Sequence, residues 1–123
     1  MAQQHTLYAY ALPTGSPIDV VGLFDAIQHF LADRVWTCPD IWLVSPNGSE
    51  SPEVGVNMVL PNPGSEPPGW FADVEAIALF CAHSLTHFNC DFVIGASDGR
   101  QADDITEIDS DDPKISFIKR FLG

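Results

Sequence analysis

Positive charge is the scarcest feature of this sequence. Five Lys and Arg residues stand against 17 Asp and Glu, a formal net charge of −12 over 123 residues. A surface of that sign repels phosphate backbones and anionic lipid headgroups, so direct binding to nucleic acid or to a membrane is not expected. Long apolar runs are missing too. The longest, Ala76 to Ala82, falls far short of the ~20 residues a bilayer span requires. The N-terminal MAQQHTLYAYAL has no Lys or Arg ahead of its short apolar run, unlike a secretory signal. Cysteine is sparse and odd in number: Cys38, Cys81 and Cys90 lack framework spacing, so reduced thiols in the cytoplasm are expected rather than disulfides. No GxxxxGKS/T loop, GxGxxG turn or GxSxG elbow is present, which leaves nucleotide hydrolysis and serine-type acyl transfer without residues to carry them.

What is present suffices for one folded domain over residues 1–123. Hydrophobic residues make up 46% of the chain, an ordinary globular share. Thr6 to Leu12 reads as a first strand ending at Pro13. Ser16 and Pro17 suit the start of a helix running from Ile18 to Asp33, with Val20, Leu23, Phe24, Ile27, Phe30 and Leu31 at helical spacing. Ile41 to Val44 reads as the regular part of a second strand, with Val35 to Cys38 as a bulged extension or edge because Pro39 interrupts the run. The alternation of Val54, Val56, Met58 and Leu60 marks a third strand, hairpin-paired with the second. Trp70 to Phe88 has one buried helical stripe, Trp70, Val74, Ile77, Cys81, Leu85 and Phe88. Phe71, Leu79 and Phe80 fall outside it, so this helix is expected to be covered by the C-terminal segment or used in an interface. Asn89 suits its C-cap, and Cys90 to Ala96 reads as a last strand.

Strand, helix, strand, strand, helix, strand is the order of a ferredoxin-like βαββαβ sandwich, an α+β fold with two helices on one face of an antiparallel sheet. That core is expected over residues 6–97, followed by an acidic loop, 97–112, and a C-terminal segment, 113–123. In the last of these, Asp112 before Pro113 favours a short helix while Ile115 and Phe117 also permit a strand.

Catalytic and metal signals are weak. His83 and His87 stand four apart on a helix, with Cys81 and Cys90 nearby, but Ser84 occupies the place where an HExxH site has glutamate. Cys81 also belongs to the buried stripe, so surface histidines are the expectation and no metal or cofactor is assigned. No cysteine has the cationic or helix-N-terminal setting of a nucleophile, and Asp91 beside Cys90 disfavours its thiolate. The acidic run lacks the EF-hand order.

The segment from Ser97 to Asp112, SDGRQADDITEIDSDD, departs furthest from what folding alone requires. Asp98, Asp103, Asp104, Glu107, Asp109, Asp111 and Asp112 face only Arg100 within it. Such a run repels itself unless it is hydrated or meets a positive partner. High charge also serves solubility. Lys114, Lys119 and Arg120 are positioned in sequence to fold back and neutralise part of it. Trp36 and Trp42 stand six apart, on one face if the strand is unbroken at Pro39; if exposed they are natural interface anchors.

In size, in charge and in the Cys90–Gly95 strand leading into an acidic tail, the chain resembles the immunity proteins of bacterial polymorphic-toxin systems. The resemblance implies a non-enzymatic, stoichiometric inhibitor, with these carboxylates, aided by Trp36 and Trp42, meeting the Lys and Arg groups of a basic toxin. A homodimer is compatible with it. The alternative from a different class is a small, dimeric ferredoxin-like enzyme or ligand-binding domain, with a pocket expected between sheet and helices near His29, Cys38, Trp42 and His83. A third reading is a mimic of nucleic acid.

Overall fold

The structure, a computed structural model, describes residues 5–14, 18–38, 40–44, 54–61, 66–88, 90–97 and 101–122. Eight elements follow in chain order: β1 (Thr6–Pro13), α1 (Val20–Ala32), β2 (Ile41–Val44), β3 (Gly55–Val59), α2 (Trp70–Phe88), β4 (Cys90–Ser97), β5 (Ala102–Ile108) and α3 (Ile115–Leu122). The fold is α+β, and the strands form one antiparallel sheet in the order β2-β3-β1-β4-β5.

Period-two alternation decides which side of β1 meets the helices. Leu7, Ala9 and Ala11 enter the core, while Tyr8, Tyr10 and Leu12 take the opposite side. The small Ala9 and Ala11 let Ile27 of α1 and Ile77 of α2 close over the middle of the sheet beside Phe92. Leu7, Leu23, Met58, Ile77, Phe92, Ile94, Ile108 and Ile118 are fully buried, each contributing roughly 1.5–3 kcal/mol of transfer free energy. The gap left between helices and sheet is about 10 Å³, too small for any metabolite.

The chain between α1 and β2 is not the strand extension expected for Val35 to Cys38. It is an irregular connection tied down by a buried carboxylate. Asp73, in the first turn of α2 and wholly buried, accepts from Arg34 Nη2 at 3.2 Å and from the Cys38 amide at 2.6 Å. Trp36 donates from Nε1 to the Leu31 carbonyl and packs edge-on against Phe30. Trp36 and Trp42 are therefore not on one face of one strand.

The expected helix start at Ser16–Pro17 and the Asn89 cap lie outside the described residues. Helix α1 begins at Val20, with the Asp19 side chain accepting from the Gly22 amide at 3.0 Å. The Trp70–Phe88 helix has the expected bounds. Its extra apolar side is partly covered: Phe80 stacks on Phe30 of α1, and α3 packs over α2 near Phe71. The C-terminal segment is a helix, introduced by Asp112, whose Oδ1 accepts from the Lys114 amide at 3.0 Å where Lys114 takes φ 55°.

One expectation fails outright. The acidic stretch is not a loop throughout, since its middle, Ala102–Ile108, is strand β5, paired with β4. Its apolar residues, Ala102, Ile105 and Ile108, stand three apart and hide the period of two. An irregularity opposite Ile94 and Gly95 absorbs an extra residue, and a bulge of that kind brings both Ile105 and Ile108 into the core. The sheet thus has a fifth strand beyond the expected βαββαβ elements, and of the two forms expected for the C-terminal segment the helix is found.

Candidate functional site: the uncovered sheet face

All three helices bury their apolar sides in one cluster with Leu7, Ala9, Met58 and Phe92. Among the described residues no helix is seated on the opposite side of the sheet. The strand register sets out that side in rows. One crosses all five strands as Trp42, Asn57, Tyr8, Gly95 and Asp104, and the next runs Val44, Gly55, Tyr10, Val93 and Glu107. Each row begins with an apolar residue at the β2 edge, passes a tyrosine in the middle and ends on a carboxylate at the β5 edge.

The two tyrosine rings stack, with centroids 5.1 Å apart and planes 24° apart. Glycine makes their posture feasible. A Cβ at Gly95 would overlap the Tyr8 ring end and hydroxyl, and one at Gly55 would lie 2.8 Å from Tyr10 Cδ1. Lying across Gly95, Tyr8 donates its hydroxyl to Asp104 Oδ1. Burial first, then the Asp104 bond and charge, raise the Tyr8 phenol above the ordinary tyrosine range, so it stays a donor. Tyr10 donates the opposite way, to Asn57 Oδ1 at 2.8 Å. A depression of about 390 Å³ lies on this face, lined by Tyr8, Tyr10, Leu12, Val93, Ser97 and Asp104 among others. Within it Tyr8 and Val93 are buried, at 6% and 8% exposure, while Trp42, 45% exposed, stands apart from it on β2 at the opposite edge of the sheet.

The structure divides the residues singled out in the sequence. Trp42, Asp104 and Glu107 share the uncovered face. Asp103 pairs with Ala96 on the helix side of the edge strand and accepts from Gln101 Nε2. Asp109 and Asp111 line a separate groove of about 680 Å³ with His83, Thr86 and Asp91 at the end of α2. Asp112 accepts from the Lys114 amide in the turn ahead of α3, and Trp36 is half-buried in the α1–β2 connection. Asp98 lies outside the described residues.

Lys114, Lys119 and Arg120 form no ion pair with this acid among the described residues. Lys114 Nζ is 3.5 Å from the Glu107 carbonyl oxygen rather than its carboxylate, and Lys119 Nζ sits 5.7 Å from the Phe71 ring. Among the described residues none of the three forms an ion pair with Asp103, Asp104, Glu107, Asp109, Asp111 or Asp112.

The residues of the alternative pocket are dispersed. His29 is exposed on α1, its pKa raised by the Asp25 carbonyl and carboxylate. Cys38 is buried beside Asp73, Trp42 lies on the uncovered face, and His83 is in the groove with Asp109. Burial, then the Asp73 carboxylate, pushes the Cys38 thiol up to about 11; burial, then Asp91, does the same to Cys90. Burial raises buried Cys81 as well. None of these is a thiolate nucleophile at neutral pH. Among the described residues no three His, Cys, Asp or Glu side chains come together as a metal site, and no helix is long and apolar enough to cross a membrane.

Sequence reasoning missed Tyr8, Tyr10, Asn57 and Gly95. The signal for the tyrosines was legible in TLYAYAL, where they alternate with Leu7, Ala9 and Ala11. Gly95 becomes meaningful only once the register lays Tyr8 over it. Comparison of the chain with protein families, curated proteins and solved structures gave no match.

Proposed function

We propose that this protein is a non-catalytic binding protein that captures a basic protein partner, as an immunity protein captures its toxin. One observation carries the reading: the carboxylates of β5 and the turn after it are exposed, unneutralised by any ion pair among the described residues, and two of them share a sheet face with Tyr8, Tyr10 and Trp42. Uncompensated like charge weakens a fold through self-repulsion and gains a use when a cationic surface docks. Carboxylates accelerate encounter, and aromatic anchors slow release. The antiparallel pairing of β1 between β3 and β4 supports a ferredoxin-like platform for this surface, with β5 and α3 added to it. Three free cysteines suit a reducing, cytoplasmic setting.

The test is co-expression with the product of the neighbouring open reading frame, expected to encode a basic toxin domain. The chain should protect the host stoichiometrically. Its association rate with that product should fall about tenfold or more from low to physiological ionic strength. Replacing Asp103, Asp104, Glu107, Asp109 and Asp111 with their amides should abolish protection while the fold persists. Full protection by that variant refutes the proposal.

A further inference from the structure

We infer that the outer edge of β5 takes an extended, cation-bearing segment of the basic partner as a sixth strand, an inference that rests on the binding function proposed above. Strand β5 pairs with β4 on one side, and among the described residues no strand pairs with its other side. It runs for seven residues, against four in β2 at the opposite edge of the sheet. No proline interrupts it. Ile105 and Ile108 are buried and hold it to the core, while Ala102, Asp103, Asp104 and Glu107 are exposed. A border of this kind offers a row of backbone donors and acceptors to a chain that lies beside it.

Charge decides which chain that is. Asp103 stands on the helix side of β5 and Asp104 and Glu107 on the other, so an added strand meets a carboxylate on both of its faces. Side chains directly opposite across a strand pair lie ~5 Å apart, where unlike charges support the pairing and like charges oppose it. A second copy of β5 brings acid to acid. A strand carrying Lys or Arg brings cation to acid on either face. The donors that already reach Asp103 and Asp104, the Gln101 side-chain amide and the Tyr8 hydroxyl, are neutral and each bonds Oδ1, so both carboxylates keep their charge and an oxygen for a further donor. At the C-terminal end of the strand Lys114 Nζ lies 3.5 Å from the Glu107 carbonyl oxygen, which leaves residues 102–106 as the open length.

Two short peptides that alternate Lys with Thr test this with the full chain. One is N-methylated at successive central residues, which blocks pairing through both of its edges and leaves its charge unchanged. The unmodified peptide should bind about tenfold tighter, the margin of a few backbone hydrogen bonds. It should also slow amide exchange within residues 102–106. A Glu/Thr peptide of the same length should not bind. In a protein carrying Asp103→Lys and Glu107→Lys, which spares the bond between Tyr8 and Asp104, the Lys/Thr peptide should lose about tenfold in affinity and the Glu/Thr peptide gain as much. Circular dichroism melts verify that this variant is folded, and the comparison of peptides on the wild type decides the matter without it. Equal affinity for the unmodified and methylated peptides, or exchange protection confined to residues outside 102–106, overturns the added strand while leaving charge-driven capture in place. A Glu/Thr peptide that binds the wild type as tightly as its Lys/Thr counterpart overturns the selection by charge. Failure of both Lys/Thr peptides to bind, even at low salt, removes the capture of basic segments on which the inference rests.

Discussion

Gly95→Ala is the smallest change that tests the architecture of the uncovered face. The added methyl would occupy the space of the Tyr8 ring end, and it would also lie 2.6 Å from the Asp103 carbonyl oxygen. Tyr8 escapes by swinging outward, away from Asp104. That movement loses the hydroxyl–carboxylate bond, about 1–2 kcal/mol for a partly buried pair. It also re-exposes on the order of 50–100 Å² of ring, another ~1–2.5 kcal/mol. Strain where β5 passes close to Gly95 adds to this, and the reduced freedom of alanine in the unfolded chain offsets roughly 0.5–1 kcal/mol. The net expectation is a destabilisation of about 2–4 kcal/mol, or ~8–16 °C in Tm for a domain of this size. Urea unfolding followed by tyrosine and tryptophan fluorescence measures it. A double-mutant cycle supplies the sharper control. Tyr8→Phe should cost about 1–2 kcal/mol in the wild-type background and close to nothing beside Gly95→Ala, because the bond has already gone. A Gly95→Ala protein within ~0.5 kcal/mol of wild type, or an equal cost of Tyr8→Phe in both backgrounds, would refute the reasoning.

Two further outcomes concern the scaffold. Asp73→Ala should cost ~2–4 kcal/mol: it leaves the Cys38 amide without its acceptor and Arg34 without its partner, although the partly exposed arginine can recover water. Asp73→Asn, which keeps an acceptor, should cost less, and equal melting temperatures for Asp73→Ala and the wild type would show that the connection is held otherwise. The thiols predict a pH dependence. Cys38 and Cys90 are raised from 9.0 to about 11, so the folded state holds its thiol protons where the unfolded chain releases them. That stability is fully present below pH 9 and is lost as the pH rises towards 11. Unfolding free energies at pH 8 and pH 10.5, with and without Cys38→Ser and Cys90→Ser, reveal it. Labelling of the folded protein at pH 8 as fast as free cysteine would contradict the burial.

Much of the scaffold was legible because its hydrophobic periods are local. The Trp70–Phe88 helix and the Ile41–Val44 strand have the bounds their sequence suggests, and the β1 alternation is plain. Strand β5 was not legible. Its pairing with β4 is long-range, the bulge turns its apolar spacing into threes, and the carboxylates between them look like loop chemistry. Trp36 was misplaced for a related reason. The connection around it takes its shape from Asp73, 37 positions along the chain, a tertiary bond no local pattern announces. Charge sign and density could be read directly, but not which carboxylates share a face. That division depends on a register error of one residue, which would send Asp104 to the helix side and Asp103 to the tyrosines.

Strand β5 ends the sheet, and its outer backbone amides and carbonyls have no further strand to pair with among the described residues. An unprotected rim of this kind invites a second molecule to stitch itself on. Mutual repulsion between the acidic rims of neighbouring molecules opposes such pairing, and it fades as the solution approaches the isoelectric point near 4.2. Mild acid should therefore turn this strand from a guarded border into a seam along which copies polymerise, well before the core itself melts.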